Sequence, residues 1–240
     1  MTLLLGGARA MLAALPLVLC ASAVTAADFN GTIDAPALDW SGFYVGATAG
    51  GGMLSATTTD YQAFIMGGVG GDFSQSAEGY LVGGTVGLNL QAGAAVFGVE
   101  ADLQWSSLAA NRSLVAGAIE NNAAWDWFGT LRARGGLAVD RAFGYVTAGV
   151  AAVDAHSFYG WLTPVSPEYD VAVDSIAYGL TAGAGIEYAV ADNLSLKLDY
   201  LYIGLPTKQV VEEGGFGDEY DFDFVSSAHV VRAGLNLRFQ

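Results

Sequence analysis

The chain has little cysteine and little positive charge. Of its 240 residues only Cys20 is a cysteine, and 9 lysines and arginines face 24 aspartates and glutamates, for a formal net charge of −15. One cysteine excludes an intramolecular disulfide framework and a thiolate metal cluster. The acidic balance excludes nucleic acid as a partner, because phosphate binding requires a basic surface.

Long apolar runs are also missing beyond the amino terminus, where a membrane helix would need roughly 18 apolar residues. Residues 1–26 carry one positive charge, Arg9, then an apolar centre and small residues up to Ala26, which is typical of a cleaved signal peptide. Residues 27–39 contain Pro36 and no periodicity, so we interpret them as a periplasmic lead segment. Residues 40–240 then form one domain, and if it spans a membrane it does so with strands.

Apolar and polar residues alternate along most of this domain. In the last segment, 229–239, Val231, Leu235 and Phe239 share one face, and Arg232 and Asn236 share the other, which indicates a strand. Seven further segments alternate in the same way, at about 43–50, 80–90, 97–105, 125–137, 145–150, 175–188 and 194–202. The order of the connections between them supplies the architecture.

Short connections alternate with long ones, which cover roughly 54–79, 106–124, 154–174 and 204–227. All four long connections therefore fall at one end of an antiparallel sheet. We predict an all-β fold, an eight-stranded antiparallel transmembrane β-barrel with short periplasmic turns and four long extracellular loops. Closure is required because lipid cannot satisfy an unpaired strand edge.

Aromatic residues of the apolar face gather at two heights, as in the girdles of a membrane barrel. A soluble ligand-binding barrel would instead turn its apolar face inward. The predicted girdles comprise Phe43, Phe97, Tyr188 and Phe239 near the short turns, and Tyr80, Trp105, Trp125, Tyr178 and Tyr202 near the long connections.

The charges within the strands lie on the polar face and balance one another. They are Glu100, Asp102, Glu187 and Asp199 against Arg132, Arg134, Lys197 and Arg232. Pairing is expected if this face lines a narrow lumen, because an unpaired buried charge costs several kcal/mol. One interpretation is a salt-bridged plug that rigidifies the barrel; the other is a narrow, gated conductance through the same network.

Several motifs resemble the small outer-membrane β-barrel proteins of alphaproteobacterial type, a porin-like or surface-antigen family with an OmpA-like barrel. These motifs are WSGFYVG at 40–46, FGVEAD at 97–102, WFGTLRAR at 127–134, GIEYA at 185–189 and the closing strand. The resemblance implies an outer-membrane location, contact with membrane lipids and lipopolysaccharide, and recognition of the last strand by the barrel-assembly machinery. Here the terminal aromatic, Phe239, is penultimate.

The long connections hold most of the excess negative charge, and an extracellular partner could bind there. The fourth is the most acidic, with Glu212, Glu213, Asp218, Glu219, Asp221 and Asp223 against Lys208. Its oxygen density suggests calcium, but the spacing of a known calcium loop is absent, and a solvated acidic loop is the simpler interpretation. The sequence predicts no catalytic, cofactor or metal site.

Two histidines leave room for an enzyme of the outer rim. His156 and His229, with Ser157, Ser226 and Ser227, could supply the base and nucleophile of a lipid hydrolase, although no motif supports it. The function predicted first is a structural, surface-exposed outer-membrane protein, monomeric or weakly oligomeric, that supports envelope integrity. A narrow porin is the alternative, and an outer-membrane lipid-modifying enzyme is the remote one.

Overall fold

A computed structural model describes residues 38–61, 71–114, 119–161, 171–213 and 219–239. The strands are β1 Gly42–Asp60, β2 Gly71–Ala92, β3 Ala95–Leu114, β4 Ile119–Val139, β5 Ala142–Trp161, β6 Val171–Ala191, β7 Leu194–Gly204, β8 Lys208–Glu213 and β9 Glu219–Phe239. Within the described ranges, no helix has the length and apolar character needed to cross a membrane. The predicted signal peptide lies outside the described residues.

The strands form one closed antiparallel ring. Each strand from β1 to β6 pairs with the next, β7 and β8 pair with successive parts of β9, and β9 returns to β1. Since β7 and β8 occupy one position in the wall, the ring has eight positions, and the predicted eight-stranded barrel is confirmed. Closure pairs the backbone edges that a membrane could not satisfy.

Side chains alternate between the outer wall and the lumen, the space inside the barrel. In β7 the buried positions alternate strictly with exposed ones: Leu196, Leu198 and Tyr200 are exposed, whereas Lys197 and Asp199 are buried. An apolar outer wall and a polar lumen are the reverse of a soluble ligand-binding barrel. The structure therefore excludes the soluble alternative. This polarity fits a wall that faces lipid.

The strands continue past the bounds that the alternation predicts. Thus β1 extends to Asp60 and β2 begins at Gly71, so much of the predicted first connection, 54–79, is paired strand. Beyond the membrane, both faces of a strand can be solvated. Backbone pairing therefore continues there although the strand has no apolar face. Alternation consequently marks the membrane-facing part of each strand and underestimates its length.

Beyond the membrane-facing part of the strands, the wall divides into two four-stranded sheets. Pairing of β2 with β3 extends only to Leu81–Ser106, and that of β6 with β7 only to Leu180–Gly204. One sheet is therefore β8-β9-β1-β2 and the other is β3-β4-β5-β6. Lys208 on β8 spans one of the two gaps, where its Nζ donates to the hydroxyl of Ser175 on β6 at 3.0 Å.

The outer aromatic residues follow the prediction with one correction. Eight of the nine are exposed on the outer wall, between 41% and 72%: Phe43, Tyr80, Phe97, Trp105, Tyr178, Tyr188, Tyr202 and Phe239. Trp125 was predicted among them, which is wrong, because it is only 1% exposed and lies in the lumen. The reason is a β-bulge between Trp125 and Trp127, where one extra residue reverses the face.

Candidate functional site in the lumen

All eight charged residues that the alternation assigned to the polar face lie in the lumen. They come from five strands: Glu100 and Asp102 from β3, Arg132 and Arg134 from β4, Glu187 from β6, Lys197 and Asp199 from β7, and Arg232 from β9. None is more than 7% exposed. Strands on opposite sides of the ring thus contribute to one layer.

Glu100 is at the centre of this layer. The Lys197 ammonium donates to both of its carboxylate oxygens at 2.8 Å. Arg132 donates to it from the neighbouring strand, and an Arg134 nitrogen lies 3.4 Å away. The Tyr44 hydroxyl adds a hydrogen bond of 2.7 Å. One carboxylate therefore joins β1, β3, β4 and β7 across the lumen.

The other acids extend the network in both directions. Asp102 accepts from Arg132 at 2.6 Å and from Arg232 at 3.1 Å. Asp199 lies 2.9 Å from an Arg232 nitrogen and 3.3 Å from Lys197. At the short-turn side of the layer, Arg134 donates to Glu187 at 2.6 Å.

Each of the four acids and four bases therefore has an oppositely charged partner, and the formal charges of these eight residues cancel. This matters because the desolvation of each ion costs several kcal/mol and is offset only by close, hydrogen-bonded partners. The network resists the removal of any single member, since the partners left behind would stay buried.

Apolar side chains close the lumen on the short-turn side of the charged layer. The cluster comprises Leu38, Trp40, Val96, Ala138, Phe143, Tyr145 and Ala189. Trp40 precedes β1, which begins at Gly42, and its indole is fully buried below the network. The Arg238 guanidinium lies 4.4 Å from the centre of the Trp40 ring, a cation–π contact.

A second apolar layer lies on the other side of the charges. Its buried members are Leu54, Ala56, Leu81, Leu108, Ala123, Trp125, Phe128, Ala151, Val153, Leu201, Ile203, Ala228 and Val230. Register shifts beside Leu108 and Trp125 accompany the turn of these two side chains into the layer. The lumen thus has a charged layer between two apolar layers.

Tyr44 and Tyr145 were missed as members of the site, although their positions on the polar face were visible in the alternation. Their rings lie over lumen-facing glycines, Tyr44 over Gly87 and Tyr145 over Gly185. A Cβ at either glycine would overlap the tyrosine ring. Missing side chains on one strand thus make room for aromatic rings from another.

The two histidines lie on the outer wall, His156 on β5 and His229 on β9, and β6 and β7 separate their strands. The structure therefore does not bring them together as a rim hydrolase site. His229 hydrogen-bonds the Tyr200 hydroxyl at 2.7 Å. The pKa of His156 is raised, chiefly because its ring donates to Asp174, and the nearby charges of Asp154 and Asp126 add to this although partial burial opposes it.

Comparison with known proteins places this architecture in a family. The profile of the outer membrane protein beta-barrel domain matches residues 12–239. The chain belongs to this family. As a member of the outer membrane β-barrel family it is an outer-membrane protein, and the predicted alphaproteobacterial resemblance is confirmed.

Two relatives of this outer membrane β-barrel protein are alphaproteobacterial. The 31 kDa outer-membrane immunogenic protein of Brucella melitensis is 34% identical over 206 residues, 83% of this chain and 84% of the relative. The 22 kDa outer membrane protein of Rhizobium leguminosarum bv. viciae is 30% identical over 208 residues, 85% of this chain and 80% of the relative. These relatives are named as outer-membrane proteins, with no enzymatic activity in their names.

Among solved structures, the outer membrane protease OmpT of Escherichia coli superposes with a TM-score of 0.50 at 10% sequence identity. The match covers 82% of this chain and 97% of OmpT. At this identity the similarity concerns the barrel fold alone.

Proposed function

We propose that this outer membrane β-barrel protein is a structural, surface-exposed component of the envelope whose lumen does not conduct. The observation that carries the proposal is the closed sequence of layers in the lumen. A charged layer with a partner for every member is held between two apolar clusters. Such a lumen serves rigidity, because moving ions through it would require breaking buried pairs.

The outward parts of the protein support a role at the cell surface. The apolar wall anchors the barrel in lipid, and the strands extend beyond it as two sheets that carry acidic connections. We infer contacts with lipopolysaccharide around the wall, with an extracellular partner at the acidic connections, and with the barrel-assembly machinery through β9. The word immunogenic in the name of the Brucella relative is consistent with exposure of that protein at a surface.

The calcium hypothesis for the fourth connection, beside which the sequence favoured a solvated acidic loop, gains no geometry from the described residues. Asp218 lies outside them, and of Glu212, Glu213 and Glu219 only the backbone is described. Asp223 accepts a hydrogen bond from the Tyr61 hydroxyl at 2.7 Å, so it helps to join β9 to the end of β1. Its role is thus accounted for without an ion.

A narrow porin is the second candidate, favoured by polar atoms of the lumen that have no protein partner. Among the described residues these include Nε and Nη1 of Arg132, Nη2 of Arg134 and the side-chain amide of Asn236. Buried polar atoms of this kind are where water binds. A wet lumen is a condition for conductance, although it does not supply a path through the apolar layers.

Planar-bilayer recordings of the refolded chain separate the two candidates. We expect no channel steps from protein whose folding is verified by its heat-dependent gel mobility. Reproducible steps that change in size in Glu100→Gln would contradict the proposal and establish the porin, since that residue is the centre of the charged layer. A matched outer-wall variant, Glu78→Gln, should leave any such current unchanged.

A deletion strain tests the structural role directly. We expect loss of the protein to increase sensitivity to detergent and to a large antibiotic such as vancomycin, and the wild-type gene to restore resistance. Unaltered sensitivity would refute a role in envelope integrity. An enzymatic role is not part of this proposal, because β6 and β7 separate the two strands that carry the histidines considered for it.

A further inference from the structure

A cluster of ionisable side chains lies on the outer wall, apart from the lumen and beyond the aromatic girdle. It consists of His156 and Asp154 on β5, Asp126 on β4 and Asp174 on β6. His156 stands opposite Asp174 in the β5–β6 register, four residues along β6 from the girdle residue Tyr178. Antiparallel pairing thus brings three carboxylates around one imidazole.

The distances within this cluster are of two kinds. Nε2 of His156 lies 3.6 Å from an Asp126 oxygen and 3.6 Å from an Asp154 oxygen. Both separations exceed a hydrogen bond, whose N–O distance is about 2.7–3.2 Å. They match the separation of about 3.4 Å between two donor atoms that share a tetrahedral ion at about 2.0–2.2 Å from each.

The two carboxylate oxygens, one from Asp126 and one from Asp154, need to move only a little to share an ion. The chosen nitrogen and carboxylate oxygens all lie within 4.8 Å of one another. The Asp126 side chain is 69% exposed, which leaves space for it to rotate, whereas that of Asp154 is 27% exposed. A rotation of Asp126 therefore suffices to bring three donors around one point.

The other ring nitrogen is held by the remaining carboxylate. Nδ1 of His156 donates to Asp174 at 2.9 Å, an ordinary hydrogen bond. This bond fixes the tautomer and the ring orientation, so Nε2 points at the other two acids. A carboxylate behind a histidine that directs the opposite nitrogen toward a metal recurs in metalloprotein sites.

Asp126 reaches this cluster only because of the β-bulge in β4. Trp125 pairs with Ala155 and Trp127 with Asp154, so Asp126 is the extra residue between them and projects outward next to Asp154. Bulges commonly redirect a side chain next to a functional site. The bulge thus supplies the second carboxylate of the cluster.

We infer that His156, Asp126 and Asp154 bind a divalent transition-metal ion, with Asp174 orienting the histidine. One imidazole nitrogen and two carboxylate oxygens suit Zn²⁺, whereas calcium takes oxygen ligands alone. The two carboxylates cancel the charge of the ion, and three protein ligands leave a position open to water. This site is independent of whether the lumen conducts.

Calorimetric titration of Zn²⁺ into chelator-treated, refolded protein in detergent tests the site. We expect saturable binding of one ion by the wild type. His156→Ala and Asp126→Asn should weaken binding at least about tenfold, and Asp174→Asn should weaken it by about 10–100-fold as for other outer-shell partners. His229→Ala, which removes the other histidine, should bind as the wild type does.

Absorption of the Co²⁺-substituted protein identifies the ligands. We expect visible bands of a four-coordinate cobalt site in the wild type and in His229→Ala, and their loss in His156→Ala. Absence of saturable Zn²⁺ binding by the wild type would overturn the inference and reduce the cluster to an ordinary ion pair. Equal binding by all variants would overturn it too, since the ion would then sit elsewhere.

Discussion

Replacement of Arg132 by methionine tests the charged layer most directly. Methionine keeps much of the length of arginine and removes the charge, which leaves Glu100 and Asp102 with one partner fewer. Glu100 retains Lys197 at 2.8 Å, and Asp102 retains Arg232 at 3.1 Å. Breaking a buried pair costs about 3–5 kcal/mol, and the remaining partners place our expectation at about 3 kcal/mol.

An exposed pair of the same chemistry supplies the control. Arg141 and Asp192 lie 3.3 Å apart near the short turns, with side chains 44% and 87% exposed. Water screens this pair, so Arg141→Met should cost no more than about 1 kcal/mol. Both variants lose one arginine to methionine, and burial is the main difference between them.

The free energy of unfolding is measured by urea titration in lipid vesicles, approached from the folded and from the unfolded side. Arg132→Met with Asp102→Asn restores neutrality to the layer, and we expect the double variant to lose less than the sum of the two single losses. Equal losses in Arg132→Met and Arg141→Met would refute the reasoning, because burial would then have no influence on the value of the pair.

Three further predictions concern other parts of the molecule. Gly87→Ala should cost about 1–3 kcal/mol in the same titration, since its Cβ would overlap the tyrosine ring packed over it, and a neutral effect would contradict that packing. Brominated lipid should quench a smaller fraction of the tryptophan emission in Trp105→Phe than in the wild type, but a larger fraction in Trp125→Phe, because the first indole faces lipid and the second is an unquenched emitter in the lumen. In metal-free protein, Asp174→Asn should lower the pKa of His156, which is measured by an NMR titration of the imidazole protons. Because the folded pKa is raised above 6.5, the stabilisation by this contact is present below that value and lost as pH rises through the folded pKa, so an unchanged pKa in the variant would rule the contact out.

Strand number and the polarity of the wall could be predicted because both follow from a period of two. Successive residues of β7 from Leu196 to Tyr200 face lipid and lumen in strict alternation, so a few residues suffice to detect the pattern. The composition of the charged layer followed from the same parity. Once the polar face is assigned to the lumen, the charged residues on that face are assigned to the lumen as well.

The pairing within the layer could not be predicted, because alternation gives the face of a residue and not its height. Glu100 and Lys197 are 97 residues apart on strands that are not neighbours, and they meet only because closure of the ring brings both to one level. The burial of Trp40 could not be predicted for a related reason. This residue precedes the strand, where no periodicity constrains it, and its burial depends on an apolar space that several later strands create.

The bulge in β4 shows how one residue can alter two surfaces at once. With regular pairing, Trp125 would face lipid and Asp126 the lumen, as the alternation predicted. The extra residue reverses both, since it adds an indole to the apolar layer that closes the lumen and places a carboxylate beside Asp154 on the outer wall. A pattern of period two cannot reveal the bulge. The sequence Trp-Asp-Trp alternates between apolar and polar residues whether or not an extra residue exchanges the faces of the strand. Regular pairing would require burying the Asp126 carboxylate among the apolar residues of the upper layer, and the cost of a buried unpaired charge is sufficient reason for the strand to bulge there.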